Sequence, residues 1–383
     1  MPWKDVTVMS LRREFVTMAA QETCSMRDLC RRFQISPKTG YKWLARFAAA
    51  GEAGLADRPR RPHQSPSRCS AAVEQAIVQA RDAHPAWGPR KLHALLSPDL
   101  PLPAVSTVAA ILRRHGRIDP LESATHTPWQ HFAAEAPNVL WQMDFKGHVP
   151  LATGARCHPL TVLDDHSRFL LAMRACANEQ GTTVQGHLIP LFRRYGLPER
   201  ILVDNGSPWG DDRSHPYTPL TVWLLHLGIA CTHASPYHPQ TLGKDERLHR
   251  TLTVELLSRT TLRDLPDAQR QFEHWRQSYN SERPHEALGM AVPASRYRLS
   301  PRAYPEQLPP IEYAPDHQVR RVQADGEISF HNRYFKVGKA FRGYSVGVRP
   351  TTTDGIFTVY FCQHRITTIT LHGATMEEPH EWR

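Results

Sequence analysis

The 383-residue sequence has no apolar run approaching twenty residues, so no membrane-spanning helix is expected. Its opening, Met1-Pro2-Trp3-Lys4-Asp5, lacks the apolar segment of a signal peptide, which argues against secretion. Cysteine is sparse. There are seven, an odd number, scattered with no Cys-x-x-Cys pair. That disfavours a disulfide framework or a cysteine-based zinc module and fits a reducing cytoplasm. The 22 histidines are equally scattered. Proline, by contrast, is plentiful: 32 residues, against a typical ~5% of a chain, predict many turns and linkers. A chain of this length, 40% hydrophobic and 22% charged, is expected to fold as several globular domains.

The formal charge of +10 is unevenly spread. Residues 1–70 carry a net +7, residues 71–136 none, residues 137–297 +1 and residues 298–383 +2. A basic surplus confined to one small N-terminal unit is the footprint of a polyanion partner, most simply nucleic acid. Residues 10–50 read as three helices. Leu11, Phe15 and Met18 recur at helical spacing, and Ser25 caps a second helix running to Phe33. After a break at Gln34-Ile35-Ser36, a third starts at Pro37, with Tyr41, Leu44 and Phe47 read as inward and Lys38, Lys42 and Arg46 as outward. Helix, tight turn and basic helix is the helix-turn-helix plan, in which the second helix enters the major groove. The extended Arg58-Pro59-Arg60-Arg61-Pro62 suits either a narrow minor groove or a plain solvated linker. Helical signals over 70–84, 89–96 and 106–115 read as a second small DNA-binding unit.

Residues 137–297 alternate strand and helix signals, the mark of an α/β domain. Strands are predicted at 139–145, 158–163, 168–177, 200–203 and 229–232. Helices are predicted at 182–195, 219–227 and from Gly243 onward. In the first strand Leu140, Gln142 and Asp144 share one side. On the last helix Leu248, Leu252 and Leu256 form a buried stripe, with Glu246 and Arg250 on another face. Asp144, Asp204 and Glu246 therefore occupy element positions from which they could converge. Hard divalent cations want oxygen ligands, and two of them roughly 3.5–4 Å apart can serve both the attacking and the leaving oxygen of a phosphodiester.

Five motifs sharpen this reading. They are Trp141-Gln142-Met143-Asp144; Asp164-Asp165-His166-Ser167-Arg168; Val203-Asp204-Asn205-Gly206-Ser207-Pro208; the run from Pro236-Tyr237-His238-Pro239-Gln240 through Gly243-Lys244-x-Glu246-Arg247 to Leu252; and Tyr279-Asn280-x-x-Arg283-Pro284-His285-x-x-Leu288. Together they resemble bacterial insertion-sequence transposases with a retroviral-integrase-type core. The resemblance implies an RNase H-like fold and a DDE triad at Asp144, Asp204 and Glu246 that holds two Mg2+ ions, with Mn2+ substituting. It implies cleavage at the element's terminal inverted repeats, then attack of the freed 3′-OH on target DNA. It further implies a homodimer or larger synaptic assembly, at the nucleoid of a bacterial cytoplasm.

Within that frame, 41 residues separate Asp204 from Glu246, somewhat more than usual, and residues 210–215 read as the insertion responsible. Asp245 competes with Glu246 for the third place, and the Gly-Lys-x-Glu-Arg frame favours Glu246. Asp164 and Asp165 compete with Asp144 and read as turn and cap residues. Lys244 and Arg247 are candidates for phosphate contacts, and Tyr237, His238 and Gln240 for DNA contacts from the preceding loop. Trp141 and Trp209 read as packing residues. Short strand signals over 318–372, split by Gly, Asn and Asp turns, predict a small β-barrel, with Arg320, Arg321, Lys336 and Lys339 as its basic residues.

The expected architecture is multidomain: a helix-turn-helix unit at 1–57, a basic linker at 58–69 and a second helical unit at 70–118. A linker at 119–136, the α/β RNase H-like integrase core at 137–297 and a β-barrel at 318–372 complete it. Two other functions share parts of the pattern. A catalytically silent DNA-binding regulator would not need the intact triad. An RNase H-type nuclease would not need two helical DNA-reading units or a β-rich tail.

Overall fold

Three capped helices make up the basic N-terminal stretch, and their caps are local. Thr7, Ser25 and Ser36 each accept a hydrogen bond from the third backbone N–H beyond them, opening α1 (Val8–Ala20), α2 (Met26–Arg32) and α3 (Pro37–Ala50). The structure is a computed structural model, and it describes residues 7–21, 24–57, 69–118, 133–210, 216–233 and 243–371. The chain forms two units, Met1–Arg68 and Cys69–Arg383. No described helix is long and apolar enough to cross a membrane.

In the first unit Phe15, Val16, Leu29, Cys30, Trp43 and Leu55 form the core. The third helix is turned from the predicted phase. Gly40 and Trp43 face inward and Leu44 is partly buried, while Tyr41 is 60% exposed and Phe47 37% exposed. The cause is Gly40. A Cβ there would lie 2.7 Å from Cys30 Sγ and 2.9 Å from the Phe15 ring, so the bare backbone lets α3 approach α2 at that point and carries Trp43 into the core.

The second unit opens with α4 (Ala71–Ala83), α5 (Pro89–Leu96) and α6 (Val105–Arg114), packed around Ile77, Trp87, Leu92, Val108, Ile111 and Leu112. A mixed sheet follows. Its strands are β1 (Leu140–Phe145), β2 (Val149–Pro150), β3 (Arg156–Asp164), β4 (Leu170–Cys176), β5 (Arg200–Val203) and β6 (Ala230–His233). β3 lies between β1 and β4 and runs antiparallel to both; β5 and β6 continue parallel to β1, and β2 pairs with the start of β3. Side-chain alternation divides β1 between two cores. Trp141 and Met143 join residues of α7 (Gly181–Tyr195) and α8 (Pro219–His226) on one face. The opposite face packs α9 (Gly243–Leu252) and α10 (Leu265–Ser281) through Leu248, Leu252, Phe272, Trp275 and Tyr279. Gln142 and Asp144 belong to this second face. Trp209 is buried, as a packing residue should be.

The C-terminal strands do not form the predicted barrel. β7 (Gln318–Arg321), β10 (Ser345–Pro350), β11 (Ile356–Phe361) and β12 (His364–Thr370) make an open antiparallel sheet in the order β12, β11, β10, β7. β8 (Glu327–Phe330) and β9 (Arg333–Lys336) form a separate hairpin, turning through His331 and Asn332 with φ of 48° and 58°. Closure is unnecessary because the apolar face of this module is covered from outside: Val222 and Leu225 of α8 join Phe330, Phe341, Val346, Val348, Val359 and Phe361 in one core. α8, buried between this module and the main sheet, has no exposed face.

Candidate active site

Asp144 is the fifth residue of β1, and Asp204 directly follows β5. The two strands run parallel with Leu140 opposite Arg200 and Gln142 opposite Leu202, so the same offset carried two residues further sets Asp144 beside Asp204. Glu246 is the fourth residue of α9, exposed on the helix that packs over this face. These placements have an electrostatic consequence. Burial, then the charges of Asp204, Glu179 and Glu246, push the Asp144 carboxyl up to about 6, opposed by a hydrogen bond from the Phe145 backbone. Asp204 is also raised, first by burial and then by Glu179, while the Gly206 N–H at 3.1 Å and His233 oppose the shift. His233 Nδ1 donates to the Asp204 carbonyl at 2.9 Å, steadying the turn.

The donor chemistry fits a hard divalent cation: carboxylate oxygens from three elements, with Asp144 raised first by burial and then by the charges of Asp204, Glu179 and Glu246. Among the described residues, no group of three or more His, Cys, Asp or Glu side chains is closed tightly enough to hold an ion. Asp144, Asp204 and Glu246 share an electrostatic neighbourhood rather than a finished coordination shell.

The competing acids are placed differently. Asp164 is a buried turn cap: its Oδ1 accepts from Ser167 N at 2.8 Å and Ser167 Oγ at 2.5 Å, and its Oδ2 accepts from Asn138 N at 2.7 Å. Asp165 is buried as well and accepts from Gln142 Nε2 at 2.7 Å, from Ala134 N at 2.7 Å and from Lys244 Nζ. Lys244 thus enters the site with its ammonium paired to a carboxylate, and burial lowers its pKa. Arg247 and Arg250 are exposed on the same helix. Asp245 is fully buried and, among the described residues, neither of its oxygens has a hydrogen-bond partner; burial, then Asp144 and Asp165, raise its carboxyl well above the usual range.

In the first unit Lys38 and Lys42 are exposed and Arg46 is partly so. Lys42 Nζ and the Arg46 guanidinium lie 4.7 and 5.1 Å from the centre of the Trp43 ring, and Arg12 lies 3.9 Å from it. The buried Trp43 face therefore anchors part of the basic surface. Arg58, Arg60, Arg61, Tyr237, His238, Gln240 and most of the 210–215 insertion lie outside the described residues.

Two residues at the site were given no role from sequence, His249 standing only as a member of the fourth motif. Glu179 precedes α7, pairs with His158 at 2.8 Å and adds charge to both Asp144 and Asp204. His249 lies one turn beyond Glu246. Its Nε2 donates to Thr161 Oγ1 at 3.0 Å, which in turn donates to the Asp144 carbonyl at 3.1 Å. The i, i+3 spacing from Glu246 was the available signal for His249; nothing local marked Glu179.

The fifth motif is structural. Asn280 exchanges two hydrogen bonds with the Leu170 backbone, at 2.8 and 2.9 Å, and so extends the pairing of β4 with a side-chain amide. Arg283 Nε and Trp275 Nε1 both donate to Glu255, at 2.8 and 3.1 Å.

Comparison with known proteins agrees with this architecture. Residues 134–239 and 227–293 match two models described as integrase core domain, and residues 11–63 and 39–112 match a helix-turn-helix and a homeodomain-like model. Residues 317–377 match the C-terminal domain of IS481 family transposases. An uncharacterized 39.2 kDa protein of insertion element IS476 from Xanthomonas euvesicatoria is 26% identical over 66% of this chain and 72% of its own length. An uncharacterized 31.7 kDa protein of insertion element IS407 from Burkholderia multivorans is 28% identical over 45% of this chain and 61% of its own. A solved structure of the HTLV-2 integrase catalytic core domain is 15% identical, covering 43% of this chain and 99% of that one, with a TM-score of 0.33.

An integrase core behind helix-turn-helix units defines the class of enzyme, a DDE transposase or integrase. The match to the C-terminal domain of IS481 family transposases and the insertion-element relatives support an insertion-sequence transposase of that class.

Proposed function

We propose that this transposase binds the terminal inverted repeats of its element, cleaves a strand at each end and joins the freed 3′-OH ends to target DNA. The observation that supports the reading is positional: Asp144 on β1 and Asp204 at the end of the parallel neighbour β5, with Glu246 on α9 over the same face. Burial first, then the charge of Asp204, with smaller contributions from Glu179 and Glu246, lifts the Asp144 carboxyl to about 6. Divalent ions, Mg2+ or Mn2+, held by Asp144, Asp204 and Glu246 would supply Lewis acidity at the attacking and leaving oxygens of the scissile phosphodiester.

The chain's own residues do the rest. Lys38, Lys42 and Arg46 on α3 meet phosphates and base edges in the major groove, and Arg58, Arg60 and Arg61 follow the backbone from the linker. Tyr237, His238 and Gln240 lie against DNA ahead of α9, and Arg247 holds a phosphate beside the carboxylates. In the first step water attacks the end phosphodiester, leaving a 3′-OH and a 5′-phosphate. In the second that 3′-OH attacks a target phosphodiester in line and displaces the target's own 3′ oxygen. One phosphodiester is made for each one broken, so no covalent protein–DNA bond is required. Two ends join in one event, which calls for a homodimer or larger synaptic assembly.

The test is Asp204→Asn on DNA ends taken from the flanks of the gene. The reading predicts retained end binding with cleavage and joining lost; substantial residual joining removes Asp204 from the site.

A further inference from the structure

We propose that Asp165 is a positioning residue that sets the spacing between the strand carrying Asp144 and the helix carrying Glu246. The inference rests on the reading of those two carboxylates as cation ligands. A single oxygen, Asp165 Oδ1, accepts from Gln142 Nε2 at 2.7 Å and from Lys244 Nζ. Gln142 stands two residues before Asp144, on the same face of β1, and Lys244 stands two residues before Glu246 in the first turn of α9. One buried carboxylate therefore grips both ligand-bearing elements at matching distances from their ligands.

Asp165 is itself held on every side. Its Oδ2 accepts from Ala134 N at 2.7 Å and lies 3.9 Å from Arg168 Nη1, which donates to the Asp165 carbonyl. Its side chain is 1% exposed and that of Lys244 13% exposed, so water offers Lys244 little alternative to this carboxylate. The His249–Thr161–Asp144 chain braces the same strand and helix on the far side of Glu246. Glu246, exposed between the two braces, is thereby held in place although its own side chain is not packed. Residues that hydrogen-bond a metal ligand directly typically change metal affinity or activity by about 10–100-fold when lost; Asp165 acts one step further out, through Gln142 and Lys244, so the low end of that range is expected.

The test measures Mn2+ affinity of the full chain by calorimetry, alongside melting temperature and strand joining. It compares Asp165→Asn, Lys244→Met, their double variant and Lys244→Arg. The proposal predicts a loss of about tenfold or more in Mn2+ affinity for each single variant, since both cut one path. The double variant should be no weaker than the singles. Lys244→Arg, which keeps the charge, should recover to within about threefold. Unchanged Mn2+ affinity in Asp165→Asn and Lys244→Met, with only the melting temperature lowered, overturns the positioning role alone, provided Asp144→Asn and Glu246→Gln abolish binding. Mn2+ binding that survives Asp144→Asn and Glu246→Gln overturns the parent reading and this proposal with it. Should Asp165→Asn fail to fold, the Lys244 pair of variants still decides.

Discussion

The raised Asp144 carboxyl makes the candidate site measurable without any DNA. Burial, Asp204, Glu179 and Glu246 lift it from 3.8 to about 6. In the unfolded chain it titrates near ~3.9. Between roughly pH 4 and pH 6 the native protein keeps a proton that the unfolded chain has released, so stability falls as pH rises through that window. At about 1.4 kcal/mol per unit the full shift amounts to ~3 kcal/mol. The side chain is 25% exposed, and solvent screening lowers this to about 1–2 kcal/mol. Asp144→Asn removes the penalty. The variant should match wild type near pH 4 and exceed it by about 1–2 kcal/mol at pH 7, read from urea melts in metal-free buffer. Cation binding needs the ionised carboxylate, so Mn2+ affinity should fall by about tenfold per pH unit below 6 and level off above. In the metal-free melts Asp204→Asn should shift the Asp144 transition to lower pH, because after burial Asp204 contributes the largest of the neighbouring charges. A difference between wild type and Asp144→Asn that stays flat from pH 4 to pH 8 would refute the argument.

Two further variants probe the scaffold. Gly40→Ala puts a methyl group 2.7 Å from Cys30 Sγ and should destabilise the first unit by about 1–3 kcal/mol, with end binding lost in step, as denaturant melts and gel-shift titration would record. Asp245→Asn removes a buried carboxyl raised by burial, Asp144 and Asp165, which disfavours folding ever more as pH rises above 4. The variant should be indistinguishable from wild type in acid and more stable by at least about 1 kcal/mol at pH 8; equal stability at both pH values would contradict the burial argument.

What was legible in the sequence divides along physical lines. A short continuous apolar run ending in a turn residue located β5 and put Asp204 at its end, and the strands at 327–330 and 356–361 fall where short β-rich runs between turn residues placed them. Ser25, Ser36 and Pro37 announced α2 and α3 because capping is local. The phase of α3 was not legible. Tyr41, Leu44 and Phe47 make as good a stripe as Gly40, Trp43 and Leu44 until the notch at Gly40 meets Cys30, and that contact is tertiary. α10 went unmarked, since its buried Phe272, Trp275 and Tyr279 are interleaved with Glu, Arg and Gln. The barrel failed for a similar reason: strand signals say nothing about whether the sheet's two edges meet or whether α8 covers its face. The three carboxylates could be named from motifs, but the bond from Asp165 to Lys244 spans 79 positions and no local pattern encodes it.

The central claim is tested most directly by strand joining in Mg2+ or Mn2+, with wild type beside Glu246→Gln on DNA ends taken from the flanking sequence. The account predicts joined products from wild type alone, end binding by both proteins and loss of all products on chelation of the metal. Joining by Glu246→Gln at wild-type rate, or tight end binding with no cleavage by either protein, would contradict it.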